Sequence, residues 1–179
     1  FQTTSAGGHD FTPEQWLKFL GWVISSGNYG DYNGRWEIHI TKSGRAGLEE
    51  LRRDLGGVEK LHWNDNGLTL NNRALVEWLI EHTGTTSHFR KLPAEAFDLS
   101  AEDANTRLRA LVVGDGATHL PTWGRYHTCS KQLADDVMRL AIHAGWRPTL
   151  DVREGENYLP DSVVYVVHLS QRRRDTGLQ

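Results

Sequence analysis

A single cysteine, Cys129, in 179 residues excludes an internal disulfide framework and any cysteine-rich zinc site. No run approaches the roughly 20 consecutive apolar residues of a membrane span. The stretch from Phe1 to Asp10 lacks the charged and apolar regions of a secretory signal. Neither sign of charge dominates. Twenty Lys and Arg stand against 23 Asp and Glu, a net charge of −3, so the chain carries no overall basic footprint for nucleic acid. The distribution of charge matters more than its sum, and such a partner is not excluded. Also missing are a phosphate-binding loop, a dinucleotide fingerprint and a nucleophile triad, which leaves a small-molecule enzyme without an anchor.

What is present is a repeat. At an offset of 89 residues, Gly21 answers to Ala110 and Ser25 to Gly114. Ser26-Gly27 answers to Asp115-Gly116, Lys42 to Lys131, Leu51 to Leu140 and Gly56 to Gly145, with no gap needed. Repeats set architecture. Two copies of a unit too small to be a good domain alone predict one fold with a pseudo-two-fold axis. The charges sort in the same sense. Acids gather where helices are expected, and Arg35, Lys42, Arg45, Lys60, Arg125, Lys131, Arg147 and Arg153 fall on expected strands and their ends. A basic strand face under an acidic helical layer is one reading, random surface scatter the other.

Local signals place the elements. Thr12-Pro13-Glu14-Gln15 opens a helix to about Ser25, with Thr as N-cap, Pro at the first position and Gln three after the cap. Asn33-Gly34 is the preferred two-residue hairpin turn. In the strand that follows, Trp36, Ile38 and Ile40 alternate with Arg35, Glu37, His39 and Thr41, one face buried and one polar. A helix over 44–55 closes at Gly56-Gly57, strands over 58–63 and 68–71 flank Asp65-Asn66-Gly67, and a helix over 72–82 turns Ala74, Leu75, Trp78 and Leu79 inward. The second copy predicts a helix from Ser100 to Gly114, a strand near 125–129, a helix over 131–144, strands over 147–153 and 163–169, and a last helix near Arg172 that is short or missing. The chain divides into a leader or cut edge (1–11), a first half (12–82), a linker (83–99) and a second half (100–179). Each half reads as helix, two strands, helix, two strands, helix: α+β, with a four-stranded antiparallel sheet whose polar face is open.

Gly21 and Ser25, like Ala110 and Gly114, are small residues four apart on one helical face, which lets two helix backbones approach closely; small residues under a neighbouring strand are the alternative. If the two helices pair, their C-termini converge and set Ser26 beside Asp115. A carboxylate at a helix C-terminus is unfavourable, and exposed carbonyls such as those of Ser25 and Gly114 lie beside it. Such an oxygen-lined place suits Mg²⁺ or another divalent cation such as Mn²⁺ or Ca²⁺, and a metal between two open sheets suggests hydrolysis of a phosphodiester. Asp115 as a plain turn residue is the alternative.

These residues resemble a family, the LAGLIDADG homing endonucleases, particularly the endonuclease domains of inteins. The two motif copies are Phe19-Leu20-Gly21-Trp22-Val23-Ile24-Ser25-Ser26-Gly27 and Leu108-Arg109-Ala110-Leu111-Val112-Val113-Gly114-Asp115-Gly116. Lys91-Leu92-Pro93 and the run from Tyr126 to Lys131 support them, and the resemblance covers about residues 12–170. It implies a saddle of two αββαββα halves on double-stranded DNA, with paired motif helices at the interface and metal-binding acids at their ends. The implied target is double-stranded DNA of about 20 bp. The implied chain is a Mg²⁺-dependent, site-specific nuclease, working as a monomer inside the cell with its DNA and without a membrane or an obligate protein partner. Asp115 is the matching acid, and Arg90, Lys91, Lys42 and Lys131 are the candidate basic groups, although Lys42 and Lys131 also read as surface lysines at helix starts. Base readout falls to Arg35, Glu37, His39, Thr41, Lys60 and His62 in the first half, and to Arg125, Tyr126, Thr128, Thr149, Asp151 and Arg153 in the second. The departure is Ser26, which carries no charge where the family has an acid. It predicts a nickase, an inactive chain or a deliberate change. The alternative function is a non-catalytic nucleic-acid-binding relative, an RNA maturase or a transcription regulator.

Overall fold

The computed structural model describes residues 10–115, 123–155 and 162–171. Helix α1 (Pro13–Ser26) starts as expected. The Thr12 side chain accepts from the Gln15 backbone N–H at 3.2 Å while Gln15 Oε1 accepts from the Thr12 N–H at 2.9 Å. Eight of its residues, from Trp16 to Ile24, are buried, so it is a core element. Strands β1 (Gly27–Tyr32) and β2 (Arg35–Thr41) follow around Asn33 and Gly34, whose positive φ values of 58° and 85° fit a primed hairpin turn. The Gly34 N–H donates to the Asp31 carboxylate at 2.6 Å and fixes the turn.

Helix α2 (Arg45–Leu55) leads to strands β3 (His62–Asn64) and β4 (Gly67–Asn71). β3 starts later than the expected 58–63, because Lys60 sits at φ 61° in a turn and breaks the extended run. The sheet order is β1-β2-β4-β3, all antiparallel. Helix α3 (Arg73–Thr83) is capped by Asn72, whose side-chain Oδ1 accepts from Leu75 N at 3.0 Å. Its buried stripe is Leu75, Val76 and Leu79. Ala74 is exposed, so the expected inward face is rotated by about one residue.

The linker packs rather than dangles. It makes two single 3₁₀ turns (Ser87–Phe89 and Ala94–Phe97) and buries Leu92, Ala96 and Leu99. Helix α4 (Ala101–Gly114) is capped by Ser100, which accepts from Asp103 N at 3.0 Å. Strand β5 (Trp123–Thr128), helix α5 (Lys131–His143), and strands β6 (Trp146–Glu154) and β7 (Val163–Gln171) complete the described chain. Their sheet runs β5-β7-β6, antiparallel. It has three strands among the described residues, where four were expected. Residues 116–122, most of the leader (1–9) and the helix expected near Arg172 lie outside the described residues.

The protein is thus α+β, and the described residues form five α-helices and two small antiparallel sheets around one apolar core. The helix pairing rests on small residues. A Cβ added at Gly21 would stand 2.5 Å from Ala110 Cβ, and one at Gly114 would stand 2.7 Å from Ser25 Cβ. Both close approaches join residues 89 apart, so the helices α1 and α4 meet at the positions that the repeat pairs. None of the described helices is long and apolar enough to cross a membrane.

Candidate functional site

Because α1 and α4 touch near their C-terminal ends, those ends arrive together, and each leaves orphan carbonyls. Each end is met by a cation, which suits the helix dipole. At α1 the cation is Arg90, brought in by the linker. Arg90 is 6% exposed, and its guanidinium donates to Gly27 O at 2.7 Å and to Val23 O at 3.4 Å and lies 4.3 Å from the centre of the Tyr29 ring. Burial pushes the Arg90 guanidinium down, against the favourable pull of Tyr29. The Tyr29 hydroxyl in turn bonds to Thr83 Oγ1 at 2.6 Å and donates to Gly84 O at 2.5 Å. Arg90 is therefore a buried cap rather than a group open to a phosphate. Its neighbour Lys91 is exposed, and the Lys91 backbone N–H donates to Thr83 O at 3.1 Å.

At α4 the cation is Lys42, from the end of β2. Its ammonium donates to Gly114 O at 2.7 Å and to Val113 O at 3.4 Å. Burial lowers its pKa, and the nearby Asp115 opposes that shift. Lys131 does not share this role. It sits on the first turn of α5 and pairs with Asp135 at 2.6 Å on the surface. The offset of 89 paired Lys42 with Lys131, and the structure breaks that pairing. Lys42 lies three residues before the first residue of α2, and the residue three before α5 is Thr128.

Asp115 closes α4, with its side chain 18% exposed. Its Oδ2 accepts from the His127 backbone N–H at 2.8 Å and bonds His127 Nδ1 at 2.9 Å. Burial raises the Asp115 pKa, while the His127 bonds and the Lys42 charge work the other way. Ser26 is beside it in the fold, since the Ser26 hydroxyl donates to the Gly114 carbonyl. Ser25 Oγ donates to Leu111 O at 2.8 Å and lies 3.4 Å from the Tyr126 hydroxyl. A cleft of about 650 Å³ opens here, lined among others by Ser26, Asn28, Thr86, Arg90, His127 and Thr128.

The donor set bears on the expected metal. Among the described residues no group of three or more His, Cys, Asp or Glu side chains could form a metal cage. Asp115 is the single carboxylate at the helix ends, the Ser25 hydroxyl is committed to Leu111, and the Gly114 carbonyl already receives Lys42 and Ser26. Mg²⁺ commonly takes only one or two carboxylates and completes its shell with water and substrate phosphates. The Asp115 carboxylate suits that mode and not an all-protein cage, while the Gly114 carbonyl, with both lone pairs engaged by Lys42 and Ser26, adds no ligand.

The expected readout residues divide. In the first sheet Arg35, Glu37, His39 and Thr41 share the face away from the core, opposite Ile38 and Ile40, as expected. His39 bonds Glu37 Oε2 and Thr69 Oγ1, each at 3.0 Å, and Arg35 lies 3.7 Å from Glu37. Lys60 is exposed in the turn before β3, and His62 is exposed on β3. In the second sheet Arg125, Thr149 and Asp151 are exposed, and Arg153 pairs with Asp151 at 3.0 Å. Tyr126 and Thr128 do not belong to that set. They are 1% and 9% exposed and lie on the buried side of β5, and burial pushes the Tyr126 phenol up.

The cause is parity. An odd offset of 89 reverses the two faces of an alternating strand. Cross-strand partners give the even alignment: Ile38 lies opposite Leu70 and Gly124 opposite Leu169, so the second copy is three residues shorter ahead of its strand. On that alignment His127, not Tyr126, takes an outward place. His127 is the residue that sequence reasoning missed, and strand alternation through Trp123, Arg125 and His127 was the signal that could have found it.

No known family model matches the chain. It is similar to the C-terminal section of the DNA-directed RNA polymerase subunit beta of Stigeoclonium helveticum, at 26% identity over 188 residues and 82% of this chain. That similarity spans 17% of the length of the relative.

Proposed function

We propose that the chain is a sequence-specific double-stranded DNA endonuclease of the LAGLIDADG type. In this reading the two sheets are the arms of a pseudo-symmetric saddle, α1 and α4 are its paired motif helices, and an intact second half has a fourth strand. The observation that carries it is the convergence of the two helix ends. It sets a carboxylate, Asp115, beside Ser26 and within reach of the Lys42 charge, next to two sheets with solvent-facing polar sides. A bound Mg²⁺ would supply charge neutralisation at the scissile phosphate. Asp115 would hold that ion. Lys42 would place a positive charge near the phosphate, and His127 would hold the Asp115 carboxylate in position. Arg35, His39, Arg125 and Thr149 would face the major groove, where Arg pairs well with guanine.

Ser26 favours a second reading, a nucleic-acid-binding relative that has lost hydrolysis and serves as an RNA maturase or a transcription regulator. A hydroxyl donating to Gly114 O contributes no charge to a metal. The similarity to an RNA polymerase subunit favours neither reading.

The test is cleavage of a selected duplex target in Mg²⁺ by the parent and by Asp115→Asn. The endonuclease reading expects strand breaks from the parent and none from Asp115→Asn, with DNA affinity kept within a few fold. Binding without breaks in the parent supports the second reading instead.

A further inference from the structure

Two helix ends offer two places for an acid, and two strand ends offer two places for the cation that accompanies it. One place carries both. Asp115 closes α4, and Lys42 reaches the Gly114 carbonyl from the end of β2 at 2.7 Å. The other place carries neither. Its helix end is Ser26, a hydroxyl donating to the same carbonyl. Its strand end, three residues before α5 as Lys42 is three before α2, is Thr128, whose hydroxyl accepts from Ser130 N at 3.0 Å. Ser26 and Thr128 line the same cleft, and none of the described residues lining it is an aspartate, a glutamate or a lysine. Its arginine, Arg90, is committed to the carbonyls at the end of α1.

One place carries both an acid and a cation, and the other carries neither. From this asymmetry we infer that the protein holds one hydrolytic centre, at Asp115 and Lys42, and cuts one strand of its duplex. The other strand passes the end of α1 at Ser26, which supplies no acid, and stays intact. The inference rests on the endonuclease reading above and refines it. In the single reaction a water oxygen bonds to phosphorus and one bridging P–O bond breaks. One water proton leaves to solvent and the departing sugar oxygen takes one up, giving a phosphate monoester and a hydroxyl.

The experiment selects bound duplexes from a pool with a randomised centre of about 24 bp, in Ca²⁺. The best binder is cloned into a supercoiled plasmid and incubated with the full chain in Mg²⁺. The expected product is open circle, with the break mapped to one phosphate of one strand and no linear plasmid above the protein-free control. Asp115→Asn and Lys42→Met should each slow nicking by about a hundredfold or more, as removal of a transition-state charge does. The double change Ser26→Asp with Thr128→Lys should add linear product. Linear plasmid from the parent, or nicks shared equally between strands, overturns the inference and leaves the endonuclease reading standing. Undiminished nicking in both Asp115→Asn and Lys42→Met overturns the placement of the centre. A bound plasmid left fully supercoiled overturns both the inference and the endonuclease reading.

Discussion

The contact between α1 and α4 can be tested without knowing any target. A methyl group at Gly21 would stand 2.5 Å from Ala110 Cβ and 3.0 Å from the Leu111 nitrogen. Non-bonded carbons rest about 3.5–4.0 Å apart, so Gly21→Ala forces the helices about 1 Å apart. Overpacking of this kind costs about 1–3 kcal/mol. The gain in helix propensity returns up to about 1 kcal/mol, which leaves a net loss of about 0–2 kcal/mol. Ala110→Gly loses about 1 kcal/mol of propensity and about 0.8 kcal/mol for a buried methyl. In the double variant the methyl has crossed the interface. One glycine and one alanine remain, one Cβ stands at the contact, and the propensity changes cancel. That variant should lie within about 1 kcal/mol of the parent, so the two sites couple by about 2–4 kcal/mol. Urea unfolding followed by far-ultraviolet circular dichroism measures all four proteins, provided the denaturant slope is unchanged. Additivity within about 0.5 kcal/mol would mean that the two residues do not touch, and the helix pairing described above would be wrong.

Three further outcomes follow from other contacts. Tyr29→Phe removes the bonds to Thr83 and Gly84 and should cost about 1–2 kcal/mol near neutral pH. Burial holds the folded Tyr29 phenol above its ordinary value of 10.0, so its contribution is complete below that value and fades as pH rises through the folded pKa. The gap between parent and variant should therefore narrow in strong alkali, and a gap that widens there contradicts the assignment. Arg90→Met strips the cap from two carbonyls at the end of α1 and should lower stability by about 2–4 kcal/mol, read as a lower urea midpoint; a change under about 0.5 kcal/mol shows that Arg90 does not cap α1. Arg35→Ala, on the open face beside Glu37, should cost about 1–3 kcal/mol on a selected DNA site and relax the base preference at one position. An equal loss on all sequences with a flatter salt dependence would make Arg35 a phosphate contact instead.

Local chemistry made much of this chain legible. The start of α1, the Asn33-Gly34 turn and the alternation in β2 depend on neighbours a few residues apart, and the structure reproduces each. The small residues at Gly21, Ser25, Ala110 and Gly114 also named their own contacts, because close helix approach tolerates only small side chains. The offset of 89 was right for the helix pair and failed beyond it. A three-residue difference in loop length reverses a strand of period two, so Tyr126 and Thr128 turned inward and His127 outward. Such a difference carries no local signal, since loops vary in length at little thermodynamic cost.

The sequence by itself determined most of the described elements, the α+β class and the presence of a serine at the end of α1 and an acid at the end of α4. Only the tertiary structure decided which cation joins which acid. Lys42 and Asp115 are 73 positions apart, and Arg90 and Gly27 are 63 apart. Side chains with several rotatable bonds choose partners by what the packed backbone brings within reach. That is why Lys42 closes on α4, Arg90 on α1 and Lys131 merely on its own helix.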